Sequence, residues 1–493
     1  MKKSPVFRPA SDRYLPLLFA ALSAVVVIFA TQTWGLAVLP EQFAWIQSAK
    51  LFAADRTLDF SASTFPAGPL WPVLLSLFEQ SGYGLEFVAR VWQAVMMGLL
   101  LYVLTRFYLR HLQSRIVVAG TTLAAMAGML YFGGAFSLSP LPTALFCSTV
   151  GLLALARFLL EDESMFFMIA ALSLGVAALM WAPAVVMSAG AALAIMLGAR
   201  GKFARRLAGV VIFAAIACAP AAFLVSQSGW SFEEINFASA IASVDAISAW
   251  AMFAGWPEVF RVVLTLVIMS ALLYVYLATR GPAGIGPALK RRELQVWILL
   301  SFFWLAHLVF IPLAATLVML IPAFVLWPAL GIDSFRDFDP VSNALSGRGA
   351  AVAVSVCVLL LVFPVWQTST KCIGSFQKGD GLNGFEFQSS ALLTELRSEK
   401  SLPLYSDQPE LLSYVLHSDV RPLPSDLREL ELTESRVAVL GDHCPPGICS
   451  DDSLSQPTLA FVPKLASREG MIYDVLFRAP EPALTATDSL TIP

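Results

Sequence analysis

The connection between the first two long apolar segments is the most informative stretch of the chain. It spans residues 37–86 and reads PEQFAWIQSAK at 40–50 and FPAGPLWP at 65–72. Glu41 stands where the first apolar segment ends, and the apolar side chains that follow recur along one edge, as in an amphipathic helix. Those side chains are Phe43, Ile46, Ala49 and Phe52. The proline- and glycine-rich second motif indicates a turn. The stretch therefore predicts a helix on a membrane surface, followed by a turn into the next span.

The composition excludes an ordinary soluble protein. Of the 493 residues, 57% are hydrophobic and 14% are charged, and the mean hydropathy is +0.72. Several apolar windows exceed the roughly 18 residues that cross a bilayer as a helix. The formal net charge is −3, so the chain lacks the excess of basic residues that is typical of nucleic-acid-binding proteins. We therefore expect a polytopic α-helical membrane protein, with membrane lipids as partners and no nucleic-acid partner.

Hydropathy predicts about eleven membrane-spanning helices. They lie near residues 14–36, 87–106, 116–135, 139–159, 164–181, 183–199, 207–227, 259–279, 294–312, 314–331 and 349–368. Lysine and arginine cluster at the chain start and after the second, sixth and eighth spans, which places these segments on one side. Because cytoplasmic loops carry the excess of basic residues, the N-terminus is predicted to be cytoplasmic. An odd number of spans then places the C-terminus outside the cytoplasm.

The last part of the chain, residues 369–493, differs from the spans in composition. Long apolar runs stop, and Asp, Ser, Glu and Pro become frequent. Short strand-like runs alternate with helical patterns, which predicts a small extracytoplasmic α/β domain beside a transmembrane domain at residues 1–368. Cys444 and Cys449 flank a turn, and an oxidising compartment favours a local disulfide between them. A metal or redox site at the same two cysteines is the alternative.

The first connection resembles the first extracytoplasmic loop of the GT-C glycosyltransferases, especially the bacterial mannosyltransferase-like branch that uses polyprenyl-phosphate sugars. In that branch an acidic pair opens the loop, a short helix lies on the membrane, and a proline-rich turn precedes the second span. Glu41 matches the second acid, Pro40 replaces the first, and PLWP at residues 69–72 matches the turn. The segment LYSDQPELLSY at residues 404–414 is similar to the tail domain of the same enzymes.

The resemblance implies roles for a small set of residues. Glu41 is expected to act as a general base, or to hold the acceptor or a divalent metal, whose ligands the sequence leaves undefined. Arg90, at the entry to the second span, is expected to bind the donor phosphate or to be a snorkelling anchor. The other candidates for substrate contacts are Lys50, Asp55, Trp71, Glu233 and Glu234. The alternatives are a solvated surface for Lys50 and Asp55, and an aromatic belt for the tryptophan-rich loop that holds Glu233 and Glu234.

The resemblance also implies a function and a place. We expect an enzyme of the bacterial cytoplasmic (inner) membrane that moves a sugar, with inversion, from a polyprenyl-phosphate carrier to a lipid, glycan or protein acceptor outside. The alternative from another class is a non-catalytic scaffold or accessory subunit of an envelope-polysaccharide system, which Pro40 in place of the first acid favours. A transporter comes third, because charged residues at predicted midplane positions are few.

Overall fold

The computed structural model divides the chain into two compact units, Met1–Gly379 and Asp380–Pro493. It describes residues 11–55, 67–112, 114–199, 202–219, 245–252, 255–279, 318, 321–334, 346–398, 402–424, 430, 435–440, 459–467 and 469–477. The last helix of the first unit runs to Gln377, beyond the predicted end of the last span at residue 368. The boundary between the two units, after Gly379, therefore lies later in the chain than the predicted boundary between domains 1–368 and 369–493.

The first unit is built of helices. Those that the structure describes are α1 (Ser11–Ala30), α2 (Pro40–Asp55), α3 (Leu70–Gln80), α4 (Leu85–His111), α5 (Arg115–Phe132), α6 (Leu141–Glu161), α7 (Ser164–Met180), α8 (Val185–Gly198), α9 (Phe203–Ala217), α10 (Glu258–Thr279), α11 (Ile321–Ser334) and α12 (Ser346–Gln377). A short 3₁₀ turn at Ala182–Ala184 separates α7 from α8, at the proline between the predicted spans near 164–181 and 183–199.

Three helices of the described residues, α4, α5 and α6, are long and apolar enough to cross a membrane. They match the predicted spans near residues 87–106, 116–135 and 139–159. The shorter apolar helical stretches are Tyr14–Ala30, Ser164–Met180, Ala182–Gly198 and Phe324–Asp333. The predicted span near 294–312 lies outside the described residues, so the total of eleven stays a prediction. These apolar helices indicate a membrane protein.

Small residues let neighbouring helices approach closely. A Cβ atom at Gly98 of α4 would lie 3.1 Å from the carbonyl oxygen of Ala20 on α1. A Cβ atom at Gly151 of α6 would lie 2.7 Å from Cγ of Leu174 on α7. Such glycine contacts are typical of helix packing in membranes, where van der Waals contact replaces the hydrophobic driving force. The other side of α1 and α4 exposes large apolar side chains, as a lipid-facing surface does; among them are Leu17, Leu18, Val25, Phe87, Val91 and Val95.

The helices of this unit end at two opposite faces. The loop face consists of residues 31–55, 67–84, 133–140 and 181–184, which belong to the connections from α1 to α4, α5 to α6, and α7 to α8. At the basic face α4 leads into α5, α6 into α7, and α8 into α9. Its basic residues are Arg106, Arg110, Arg115, Arg157, Lys202, Arg205 and Arg206. The indole N–H of Trp34 donates to the carbonyl of Gln377 at 3.0 Å, so α12 ends at the loop face.

The second unit has the predicted α/β class. Its strands are β1 (Leu404–Ser406), β2 (Arg421–Pro422), β3 (Ser435–Leu440), β4 (Leu459–Ser467) and β5 (Gly470–Phe477), and its helices are α13 (Phe385–Gln388), α14 (Ala391–Ser398) and α15 (Pro409–Leu416). The sheet order is β2-β1-β3-β5-β4. β1 is parallel to β2 and β3, whereas β5 is antiparallel to β3 and β4. One face buries an apolar cluster around Val437, Val439 and Val475. The extracytoplasmic location of this unit stays a prediction.

A buried charge cluster joins α14 to the sheet. Arg436 on β3 is 2% exposed and donates from Nε to Oδ1 of Asp474 at 3.1 Å. Its Nη2 lies 3.7 Å from Oε1 of Glu395, which Lys464 on β4 also approaches at 3.0 Å. Two positive charges therefore face two carboxylates, and the burial of Arg436 leaves no uncompensated charge.

Candidate active site at the loop face

The helix that carries Glu41 begins at Pro40, where proline's fixed φ and missing N–H suit the first helical turn. The side-chain oxygen of Gln42 accepts a hydrogen bond from the Leu39 N–H at 3.1 Å, which closes the start of the helix. Three of the four residues of the predicted apolar edge, Phe43, Ile46 and Ala49, are buried, and α2 packs on α3. The edge is therefore covered by protein. Glu41 lies in the first turn of α2, where the helix dipole favours a negative charge.

The segment that leads into α2 is hydrogen-bonded to the α5–α6 turn. The Ala37 N–H donates to the carbonyl of Phe136 at 2.9 Å, and the Leu138 N–H donates to the carbonyl of Ala37 at 2.9 Å. Together these bonds make a parallel bridge between Ala37 and Ser137. Two segments far apart in the sequence thus fix the place where α2 starts.

The turn before α3 is hydrogen-bonded to the end of α7. The Gly68 N–H donates to the carbonyl of Met180 at 2.8 Å, and a Cβ atom at Gly68 would lie 2.0 Å from the carbonyl oxygen of Leu179. Only glycine fits this approach of two backbones. Trp71 follows at the start of α3 and is completely buried. Direct contact of Trp71 with a substrate would require α3 to move, and its role as a substrate contact stays a prediction.

The cation of the predicted site, Arg90, lies near the start of α4 at the loop face. Its side chain is half-buried, and its Nε is buried without a hydrogen-bond partner among the described residues. A buried guanidinium N–H without a partner is costly, so this atom is suited to a ligand oxygen. Lys50 and Asp55, in the second half of α2, are both exposed, as either of their two interpretations requires.

Several predicted site residues are not described at the level of side chains. For Glu41 the structure gives the position in α2 and not the side chain. Glu233 and Glu234 lie outside the described residues, and so do Cys444 and Cys449. The proposed substrate contacts of the two glutamates and the disulfide of the two cysteines therefore stay predictions.

The structure adds a buried ion pair that the sequence analysis did not single out. Arg261, in the first turn of α10, donates from Nη2 to Oδ1 of Asp245 at 2.6 Å and from Nη1 to the carbonyl of Trp256 at 2.9 Å. The Ser248 hydroxyl donates to the same carboxylate oxygen at 3.2 Å. Trp250, which lies with Asp245 and Ser248 in a helical segment at residues 245–251, packs on Phe132 at the end of α5, with ring centroids 5.8 Å apart. The only sequence signal was an arginine within a predicted span, since partners so far apart in sequence follow no helical spacing.

Binding of a divalent metal is one of the roles that the resemblance implies for Glu41. The described residues contain no group of three or more His, Cys, Asp or Glu side chains that could hold a metal ion.

Comparison with known proteins identifies the fold. The chain is similar to the single-particle cryo-EM structure of the arabinofuranosyltransferase AftD from Mycobacteria, with a TM-score of 0.53 and 15% sequence identity over 95% of this chain. The fold is of the GT-C type. The chain spans only 40% of the length of AftD. No protein-family model and no curated protein sequence matches it.

Two crystal structures of an oligosaccharyltransferase from Archaeoglobus fulgidus are also similar. The complex with Zn and sulfate has a TM-score of 0.48 and 13% identity, covering 83% of this chain and 62% of that chain. The apo form has a TM-score of 0.44 and 12% identity, covering 85% and 66%. Neither score is high enough to establish a shared fold, so the GT-C-type fold rests on AftD. In this GT-C-type chain the loop face brings together the start of α2, the α5–α6 turn and the loop-face end of α4.

Proposed function

We propose that the chain is a membrane glycosyltransferase that moves a sugar from a polyprenyl-phosphate carrier to a lipid, glycan or protein acceptor outside the cytoplasmic membrane. The observation that carries the proposal is the GT-C-type fold along 95% of the chain, with the acid-bearing helix α2 held at the loop face. The resemblance of the first connection to the catalytic loop of these transferases supports it independently.

Glu41 is the proposed general base. The acceptor hydroxyl oxygen attacks the anomeric carbon of the donor sugar while the bond from that carbon to the phosphate oxygen breaks. The hydroxyl proton passes to the carboxylate of Glu41, and polyprenyl phosphate leaves with the electron pair, so the anomeric centre inverts. Proton transfer to a positioned carboxylate typically contributes about 10²–10⁴-fold in rate.

Arg90 is the proposed phosphate contact. Charge builds up on the phosphate as the sugar leaves, and a guanidinium can bind two phosphate oxygens in parallel. The half-buried position of Arg90 strengthens such an interaction relative to bulk water. Lys50 and Asp55 are proposed acceptor contacts because they project from the same helix as Glu41 and are exposed.

The helical unit also contains an apolar cavity. It has a volume of about 90 Å³ and lies between α5, α10, α11 and α12. Pro328 and Pro364, which lie inside α11 and α12, line it together with apolar side chains of all four helices. Such a lining suits a hydrocarbon chain and offers little to a sugar.

The proposed orientation places the loop face outside the cytoplasm. The concentration of Lys and Arg at the basic face supports this, because cytoplasmic ends carry the basic excess. Since α12 ends at the loop face, the second unit is then proposed to be extracytoplasmic as well.

A non-catalytic scaffold is the second candidate. Pro40 stands where the related transferases carry the first acid of the pair, and this replacement favours the scaffold. A scaffold of this kind would keep the GT-C-type fold and bind no sugar donor productively.

Release of the carrier tests the proposed function. Purified protein in lipid vesicles is mixed with a polyprenyl-phosphate-linked sugar and membrane glycan extract, and free polyprenyl phosphate is measured. We expect release that depends on both protein and acceptor. Vesicles in which no tested lipid-linked pentose or hexose is consumed would favour the scaffold.

Arg90→Gln should raise the KM for the donor about tenfold, because one charge-assisted contact to phosphate is lost. Arg90→Lys keeps the charge and should raise the KM less. Arg106→Gln is the matched control on the same helix, since Arg106 lies exposed at the basic face beside Tyr102. An equal donor KM in the Arg90 and Arg106 variants would exclude Arg90 from phosphate binding.

A further inference from the structure

A single buried side chain connects α4 to the turn that holds the start of α2. Gln93 is 0% exposed, although it is a polar residue within an apolar helix. Its side-chain NH₂ group donates to the carbonyl of Ser139 at 2.6 Å and to the carbonyl of Ser137 at 3.3 Å. Both N–H donors of the amide are therefore used on one short segment, the α5–α6 turn.

The same turn is the one to which Ala37 is bonded. The carbonyl of Phe136 and the N–H of Leu138 bond to Ala37, whereas the carbonyls of Ser137 and Ser139 bond to Gln93. Successive residues of the turn thus bond alternately to the segment before α2 and to α4. The Gln93 side chain takes the place of a neighbouring strand, because it bonds to the backbone carbonyls of the turn that point away from Ala37.

The chemistry of this contact requires an amide at the length of glutamine. Leucine has a similar volume and no donor, so it would leave two carbonyls without this partner. An ionised glutamate offers only acceptors to two carbonyl oxygens and would repel them. Asparagine keeps the two donors but is shorter by a methylene.

We propose that Gln93 is a positioning residue for Glu41, acting through residues 136–139 and Ala37. The inference rests on the proposed function for its catalytic part, because it assigns Glu41 the base role. The chain of contacts itself rests only on the geometry. Removing the amide should free the α5–α6 turn, and the start of α2 should then lose its fixed position. A carboxylate displaced by about 1 Å from a reacting hydroxyl can cost on the order of 10²-fold in rate.

Hydrogen exchange tests the contact and kinetics test the role. Gln93→Leu should speed amide exchange in peptides that cover residues 36–46 and 134–140. It should also lower kcat by about tenfold or more, with the donor KM within about twofold. Thr105→Val is the matched control, because Thr105 is also fully buried on α4 and its hydroxyl donates to Leu101 of the same helix at 2.6 Å. The rate of amide exchange at the loop face of the Thr105 variant should equal that of the wild type.

Gln93→Asn is the second variant, for use if the leucine variant does not fold. Its amide exchange rate and its kcat should lie between those of the wild type and those expected for Gln93→Leu. Exchange in residues 36–46 that matches the wild type in both Gln93 variants would overturn the contact. Faster exchange together with the kcat of the Thr105 variant would overturn the positioning role. If the wild type itself transfers no sugar, the proposed function and the role of Glu41 fail together, and the exchange data still decide whether Gln93 holds the turn.

Discussion

The loop face and the basic face of the helical unit are held together by different kinds of contact. At the loop face, backbone groups from distant segments pair directly, as Ala37 does with the α5–α6 turn and Gly68 with Met180. At the basic face the long-range contacts among the described residues involve side chains. Asp333 accepts from the Ser114 N–H at 2.9 Å, and Arg205 lies 3.5 Å from Asp162 with 68% of its side chain exposed.

The difference indicates where the fold demands fixed geometry. Backbone pairing that is buried tolerates little displacement and is insensitive to salt. Exposed ion pairs are screened and contribute little to stability. The proposed sugar transfer at the loop face would require such rigidity there, whereas exposed ion pairs at the basic face provide little.

Gly68→Ala should be the most damaging small substitution. The added Cβ would lie 2.0 Å from a backbone oxygen that cannot move cheaply, and we expect a loss of about 3 kcal/mol in the free energy of unfolding. Gly374→Ala on α12 is the control, since a Cβ there meets nothing within 4 Å and should stabilise the helix by about 0.5 kcal/mol. Thermal unfolding of both variants in detergent measures the difference. Equal melting temperatures would mean that the Gly68 junction tolerates displacement.

A buried ion pair and an exposed ion pair of the helical unit should differ in their contribution to stability. Asp245→Asn removes the countercharge of Arg261, whose side chain is only 10% exposed, and should cost about 2 kcal/mol. Asp162→Asn at the basic face should cost less than about 0.5 kcal/mol, because its partner is exposed. Asp162 also has φ of 61°, a conformation that asparagine adopts readily. Unfolding curves at low and high salt compare the pairs, and similar costs would mean that burial does not set the contribution of these ion pairs.

Much of the helical fold could be predicted from hydropathy. Long apolar segments predicted α4, α5 and α6, and the spacing of Phe43 and Ile46 predicted the apolar edge of α2, although not that protein covers this edge. The proline in residues 181–184 predicted the break between α7 and α8. The alternation of short strand-like runs gave the α/β class of the second unit. All of these features depend on local periodicity, which a sequence displays directly.

The contacts that organise the loop face could not be predicted in this way. The bridge between Ala37 and Ser137 involves one residue on each side, and so it leaves no periodic pattern. In the sequence, Gln93 is an isolated polar residue within a predicted span. Its partners are backbone carbonyls, which every residue has, so the sequence gives no sign of this contact. The resemblance singled out Glu41 and Arg90 by type and place, but not the segments that hold them. Such long-range pairings depend on the completed packing of several helices.

The rate of sugar transfer in one matched pair of variants decides whether the loop face is the catalytic face. Glu41→Gln keeps the shape of the side chain at the loop face but cannot take a proton, and Asp162→Asn makes the same change at the basic face. Both proteins are reconstituted in vesicles with a polyprenyl-phosphate-linked sugar and acceptor, after equal melting temperatures confirm that they are folded. We expect Glu41→Gln to lose about 10²–10⁴-fold in initial rate and Asp162→Asn to stay within about twofold of the wild type. A Glu41→Gln variant that transfers sugar as fast as Asp162→Asn would contradict the role of Glu41 as the base.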